Sequence, residues 1–148
     1  MAIKNILVPY EGSPLSKKAL DLARDIARNF TADLTILMVI PVYYPINDSM
    51  FAGAAATNYQ EIVNSLKQQG EKELSKIVEK CREGGTRTSY KIVHDDISNA
   101  ILKQAKKSKA DMIIMGSRRL AGISSIKRLG STARHVSEHA TCPVTIVH

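Results

Sequence analysis

Short runs of branched apolar residues alternate with longer amphipathic stretches along this chain. The continuous runs Ile3–Val8, Leu34–Ile40 and Asp111–Met115 are typical of strands buried on both faces. Thr86–Val93 alternates between apolar and polar positions, as a strand with one exposed face does, and Val144–Val147 is the last apolar run. The pattern therefore predicts five strands.

The stretches between these runs carry apolar residues three and four positions apart, which is the spacing of amphipathic helices. The first helix is predicted to begin after Ser13, a favourable N-cap, with Pro14 at its first position, and to end near Asn29. The other helices are predicted from about Asn58 to Glu83, from a cap at Asp95 or Asp96, and from Ser131 to about His139.

Strands that alternate with helices predict a parallel α/β sheet covered by helices on both faces, and the length fits a single domain spanning residues 1–148. Such sheets bind ligands at the carboxyl ends of their strands, near the switch in strand order. The segment from Pro41 to about Thr57 has no clear period. Pro45 and Gly53 interrupt it, and we expect a long loop there.

The composition excludes several classes of protein. Hydrophobic residues make up 44% of the chain, yet no apolar run approaches the ~20 residues of a membrane span. The N-terminus begins a strand and lacks the pattern of an export signal, so we expect a cytoplasmic protein without a membrane partner. Cys81 and Cys142 form no C-x-x-C pair and are interpreted as reduced, buried thiols. His135 and His139 lack a zinc motif and are predicted to be surface residues, and no metal site is predicted.

The net charge of +7 suggests a partner with negative charge. No acid occurs from Ser117 to Ser137, and no aromatic residue lies among the basic residues of that stretch to stack on bases. A small anionic ligand or a solvated basic face explains the cluster at least as well as nucleic acid, which we do not expect as a partner. The cluster consists of Arg118, Arg119, Lys127, Arg128 and Arg134.

The stretch from Asp111 to Ser131 has the order strand, glycine loop, helix N-terminus. This order holds phosphate in α/β proteins, because backbone N–H groups and the helix dipole favour negative charge. The loop Pro9–Ser13 follows the first strand in a similar way. Together the two loops predict a nucleotide-sized anion site, although Gly116 and Gly130 could instead serve only to end a strand and begin a helix.

Four segments resemble the universal stress protein family: KNILVPYEGSPLSKKAL, LTILMVIP, ADMIIMGSRRLAGI and GSTARHVSEHATCPVTIVH. The resemblance implies a Rossmann-like, adenine nucleotide alpha hydrolase-like fold, with five parallel strands in the order 3-2-1-4-5 and helices on both faces. It also implies a homodimer formed through Val144–Val147, and an adenine nucleotide ligand, ATP or AMP, with or without Mg²⁺.

Many members of the family bind ATP through a G-x2-G-x9-G-[ST] loop, which this chain matches only at its ends. Gly116 and the pair Gly130-Ser131 match, but Arg119 replaces the second glycine. Ten residues rather than nine separate Arg119 from Gly130, and Gly122 does not restore the spacing. Glu11 stands where the family usually has an aspartate. The resemblance implies nucleotide binding by Pro9, Tyr10, Glu11, Ser13, Val39, Met115, Gly116, Arg118, Arg119, Gly122, Gly130, Ser131 and Thr132.

Two functions remain open at this point. Arg119 either obstructs the phosphate cradle, since arginine tolerates neither positive φ nor close approach, or binds phosphate through its guanidinium. The protein is accordingly a nucleotide-responsive regulatory dimer of the stress response or a nucleotide-free dimeric interaction module. The chain has neither a Walker A lysine nor a G-x-S-x-G elbow, so we assign no catalytic residue and expect at most slow ATP hydrolysis.

Overall fold

The structure, a computed structural model, describes residues 2–42, 54–117 and 129–148. Its five strands form one parallel sheet in the order β3-β2-β1-β4-β5, as the family resemblance implies. The strands are β1 (Asn5–Pro9), β2 (Asp33–Pro41), β3 (Thr88–Asp95), β4 (Met112–Gly116) and β5 (Val144–Val147). The helices are α1 (Pro14–Phe30), α2 (Ala54–Glu83), α3 (Ile97–Lys107) and α4 (Ser131–His139).

Side-chain caps fix where two of the helices begin. The Ser13 hydroxyl accepts a hydrogen bond from the Ser16 amide at 3.1 Å, with Pro14 at the first helical position, as predicted. The Asp96 carboxylate accepts from the Asn99 amide at 3.0 Å, so Asp96 is the cap of α3. Asp95 is instead the last residue of β3.

The predicted loop between Pro41 and about Thr57 is wrong at its C-terminal end, because α2 already begins at Ala54. Three consecutive alanines, the residues with the highest helix propensity, start the helix earlier than its apolar period shows. Residues 43–53 lie outside the described part of the chain. The predicted bounds of β1 and β3 were also displaced toward the N-terminus by up to two residues.

Alternate residues of each strand enter two apolar layers, one on each face of the sheet. Ile6 and Val8 of β1 pack in the layer covered by α1 and α2, whereas Leu7 packs in the layer covered by α3 and α4. Cys81 lies in the buried core and Cys142 is half-buried; both are free thiols, and burial raises the pKa of each. No described helix is long and apolar enough to cross a membrane.

The carboxylate of Asp111 joins the start of β1 to the start of β4. It accepts hydrogen bonds from the backbone amides of Lys4 and Asn5, both at 2.9 Å, and these bonds lower the pKa of Asp111. The Asp111 amide in turn donates to the Asn5 carbonyl at 2.8 Å. These contacts hold β1 and β4 side by side at their amino ends, opposite the carboxyl ends where such a sheet binds ligands.

Candidate functional site

A cleft of about 210 Å³ lies at the carboxyl ends of β1, β2 and β4, and we call it the strand-end cleft. Its position at the switch in strand order is where the sequence predicted a site. The lining residues come from three strands, the β1–α1 turn, and helices α3 and α4. They are Pro9, Tyr10, Glu11, Leu37, Val39, Pro41, Ile97, Ile101, Met115, Gly116, Thr132 and Ala133.

Apolar side chains form most of the cleft. Leu37 and Val39 project from the face of β2 that belongs to the α3–α4 layer, and Ile101 of α3 packs in the same layer. Leu37 and Ile101 are fully buried, whereas Val39 is half-buried at the mouth. A cleft of this kind suits a flat apolar group, such as a purine base, and leaves orientation to the few polar groups at its edge.

The β1–α1 turn supplies the carboxylate at that edge. Glu11 is exposed, and its carboxylate accepts a hydrogen bond from the Ser13 hydroxyl. The same hydroxyl accepts from the Ser16 amide, so both roles of the Ser13 side chain are engaged within the turn. Gly12 between them has a φ of +87°, a left-handed conformation that glycine adopts without strain.

Tyr10 contributes to the cleft, but its side chain packs in the opposite layer with Ile6 and Val8. Its hydroxyl donates to the Glu73 carboxylate of α2 at 3.0 Å. Burial, followed by that bond, raises the pKa of Tyr10 to about 12, so the phenol is neutral at physiological pH. The side chain therefore anchors the β1–α1 turn to α2.

Gly116 ends β4 where the first turn of α1 crosses it. A Cβ atom at this position would lie 2.7 Å from the carbonyl carbon of Leu15 and 2.9 Å from its oxygen, closer than real Cβ atoms come. Glycine is therefore required by close approach of the backbone of α1. One residue later, the Ser117 amide donates to the Val147 carbonyl at 2.8 Å, while its buried hydroxyl has no hydrogen-bond partner within the described residues.

Helix α4 begins beside the cleft without a side-chain cap. Its N-cap is Gly130, with extended backbone (φ −61°, ψ 155°), and no acidic residue lies in the first turn. The first bond of the helix runs from the Arg134 amide to the Gly130 carbonyl at 3.0 Å, so the three preceding amides have no partner within the helix. Thr132 of this turn lines the cleft. The amides without a partner in the helix and the helix dipole favour an anion at this end.

The structure brings together seven of the residues predicted for the site: Pro9, Tyr10, Glu11, Val39, Met115, Gly116 and Thr132. Ser13, Gly130 and Ser131 flank the cleft in sequence without lining it. Arg118, Arg119 and Gly122 lie outside the described residues, so their predicted roles stay predictions.

Sequence reasoning missed five lining residues, namely Leu37, Pro41, Ile97, Ile101 and Ala133. Their apolar character and spacing mark them as core residues, which most of them also are. Leu37 and Pro41 could have been found from the alternation of β2, because they share a face with Val39. No signal in the sequence shows that the start of α3 lies over the cleft.

Comparison with known proteins gives a family match over nearly the whole chain. The model of the universal stress protein family matches residues 2–148. Universal stress protein MJ0531 of Methanocaldococcus jannaschii is 33% identical over 97% of this chain and 81% of its own length. Universal stress protein YxiE of Bacillus subtilis is 33% identical over 96% of this chain and 97% of its own.

Solved structures show the same fold at lower identity. The universal stress protein UspA from Lactobacillus plantarum superposes with a TM-score of 0.85 at 21% identity, covering 100% of this chain and 99% of its own. A universal stress protein in complex with cAMP gives 0.63 at 23% identity, covering 100% and 98%. The protein from Archaeoglobus fulgidus in complex with dAMP gives 0.64 at 20% identity, with full coverage of both chains (100% and 100%).

Proposed function

This chain belongs to the universal stress protein family, and from that premise we propose that it is a cytoplasmic regulatory dimer that binds an adenine nucleotide. The single observation that carries the proposal is the strand-end cleft, an apolar slot that adjoins the uncapped N-terminus of α4. The whole chain, residues 1–148, acts in this proposal as one domain.

Each end of a nucleotide has a matching part of the site. The base lies against the apolar residues Leu37, Val39 and Ile101, which exclude water from its faces. The phosphate lies at the first turn of α4, where the helix amides and the Thr132 hydroxyl can donate hydrogen bonds. The exposed Glu11 carboxylate is placed to accept from a ribose hydroxyl or from the adenine amine.

We propose that the ligand carries one phosphate, as AMP and cyclic AMP do. The chain lacks the second glycine of the family loop, and Arg119 with one extra residue alters the part that would hold a triphosphate tail. Two structural neighbours, in complex with cAMP and with dAMP, support this choice by analogy. A guanidinium from Arg119 would bind a single phosphate in a bidentate way.

Magnesium has a limited role in this proposal. Glu11 is the only carboxylate among the described cleft-lining residues, and the described residues hold no group of three or more His, Cys, Asp or Glu side chains that could bind a metal ion. Mg²⁺ usually binds through one or two carboxylates together with substrate phosphates. It would therefore arrive with ATP, and we propose no metal requirement for AMP.

Thermal unfolding in the presence of each nucleotide tests whether the protein binds it. At a concentration of about 100 Kd, a ligand that binds only the folded protein adds ~2.7 kcal/mol to the free energy of unfolding. For a chain of this size that corresponds to a rise in Tm of roughly 5–10 °C. We expect AMP and cyclic AMP to raise Tm at lower concentrations than ATP does, with or without Mg²⁺.

Adenosine and inorganic phosphate serve as controls for the two halves of the ligand. Each alone is expected to give a smaller shift than AMP, because the apolar slot and the helix N-terminus act together on one molecule. If no nucleotide moves Tm at millimolar concentration, the nucleotide proposal fails, and a nucleotide-free dimeric interaction module takes its place.

The dimer in this proposal forms through β5, the strand at one edge of the sheet. The carbonyls of Pro143 and Val147 accept from the Ile113 and Ser117 amides of the neighbouring segment, at 2.9 and 2.8 Å. Since backbone groups alternate along a strand, the peptide groups of Val144 and Ile146 point away from β4. They offer a short row of donors and acceptors to a second copy of β5, which would protect the edge.

Replacing Val144 with proline tests this interface. Proline removes one outward amide but is tolerated at the first residue of a strand, so the fold is expected to survive while the dimer dissociates. Light scattering coupled to size exclusion should show a shift from dimer to monomer at micromolar protein. Val144→Ala is the matched control, since it shortens the side chain and keeps the amide. Dimers of undiminished stability in Val144→Pro would rule out pairing through β5.

A further inference from the structure

Helix α4 carries two histidines whose side chains lie together on the surface, away from the lining of the strand-end cleft. His135 and His139 are one turn apart, and both are exposed. Their imidazole rings stack with centroids 4.2 Å apart and an angle of 22° between the ring planes. The sequence alone predicted two surface residues, whereas the structure shows a preformed pair.

A hydrogen bond identifies which nitrogen of His139 carries the proton. Its Nδ1 lies 2.9 Å from the backbone carbonyl oxygen of His135, and a carbonyl can only accept, so Nδ1–H donates. In the neutral ring, Nε2 then holds an unshared electron pair. Histidines that bind metals are commonly held in this way, with one ring nitrogen donating to a backbone carbonyl and the other free to coordinate.

We propose that His135 and His139 form a two-histidine chelate for a late first-row divalent cation such as Ni²⁺ or Cu²⁺. Two histidines four positions apart on a helix lie on one face, and imidazole nitrogen is a ligand that these cations favour. Modest rotation about the side-chain bonds, mainly of His135, brings both Nε2 atoms toward a cation at about 2.1 Å. Water completes the coordination, because the described residues supply no third ligand of the His, Cys, Asp or Glu type.

The surroundings of the pair carry charges of both signs. His139 is the last residue of α4, so the negative end of the helix dipole favours a cation there. Glu138 is exposed on the same turn. A groove between α3 and the end of α4 is lined by His139, Lys103 and Lys106. The positive charge of Lys106 repels a cation bound there. The charge of Lys103 is offset by an ion pair, with its Nζ 3.0 Å from a carboxylate oxygen of Asp95. We therefore expect an open site of moderate affinity.

Calorimetric titration of the full chain with Ni²⁺ at pH 7.5 tests the site. Ni²⁺ is preferred to Cu²⁺ as the probe because Cu²⁺ oxidises thiols. We expect one Ni²⁺ per chain, with His135→Ala or His139→Ala lowering the affinity by about 100-fold, since the second imidazole binds at high effective concentration. Ser137→His combined with His139→Ala is the matched control. It keeps two histidines but places them two positions apart, where they do not face each other, so it should bind as weakly as the single variants.

Paramagnetic Ni²⁺ gives a readout that does not depend on stability. At a substoichiometric amount it should broaden the imidazole NMR signals of His135 and His139 before those of His94 or His148. Equal Ni²⁺ affinity in the parent protein and the respaced variant, or first broadening at His94 or His148, would overturn the proposal. Neither result depends on nucleotide binding.

Discussion

Alanine at position 116 is expected to lower the free energy of unfolding by about 2–3 kcal/mol, the upper part of the range for overpacking a core. The added Cβ would meet the Leu15 backbone at 2.7 Å. Because Pro14 and the Ser13 cap fix the start of α1, the first turn cannot yield without loss of these contacts. Denaturant unfolding of Gly116→Ala measures the effect, which should also appear as a fall in Tm of roughly 5–10 °C.

Gly84→Ala is the matched control for this substitution. An added Cβ at Gly84 meets a flexible Arg28 side-chain end at 3.4 Å and helix carbonyls at 3.5 Å, which are ordinary contacts. Its free energy of unfolding should stay within about 0.5 kcal/mol of the parent protein, as for most surface substitutions. Equal stability of the Gly116→Ala and Gly84→Ala variants would show that the backbone of α1 does not approach Gly116 of β4 as closely as described.

Tryptophan in place of Val39 is expected to abolish most nucleotide binding. Side chains stand perpendicular to a sheet, and Val39 faces the strand-end cleft, so an indole ring there occupies the space proposed for the base. A mismatch of one methylene in an apolar pocket changes affinity by about 10–200-fold. The far larger indole should therefore weaken AMP binding by at least about 100-fold, measured by calorimetry.

Val93→Trp separates loss of the site from damage to the sheet. Val93 pairs with Val39 in the register of β2 and β3, is half-buried in the same layer, and does not line the cleft. Both variants should lose similar stability, but only Val39→Trp should lose AMP affinity. If both retain the affinity of the parent protein, the base does not lie against Val39.

The alternation of strands and helices could be predicted because apolar residues follow one another in the buried strands and lie three or four positions apart in the helices. β4 and β5 are short apolar runs between turn residues, and the caps at Ser13 and Asp96 have side chains suited to that role. The strand order came from the family resemblance, since parallel strands of similar composition carry little information about their neighbours. The early start of α2 was missed because three alanines give a strong propensity without a period.

The candidate site was predictable only where its chemistry is local in sequence. Glycine and hydroxyl residues after β1 and β4 indicated two loops of the cleft, and Glu11, Gly116 and Thr132 do line it. Ile97 and Ile101 have the sequence signature of core residues, and their place above the cleft depends on how α3 packs on the sheet. The reason for Gly116 was also non-local, because it lies in the backbone of Leu15 about a hundred positions away.

The contact of Asp111 with Lys4 and Asn5 limits when the strand-end cleft can form during synthesis of the chain. These residues are 107 and 106 positions apart, so a chain growing from its N-terminus completes β1, β2 and β3 before β4 can join β1. The strand-end cleft needs residues on both sides of that junction. The chain could thus bind ligand only late in synthesis. A ligand present in the cell would bind and stabilise chains in which β4 has joined β1, and not shorter partial chains.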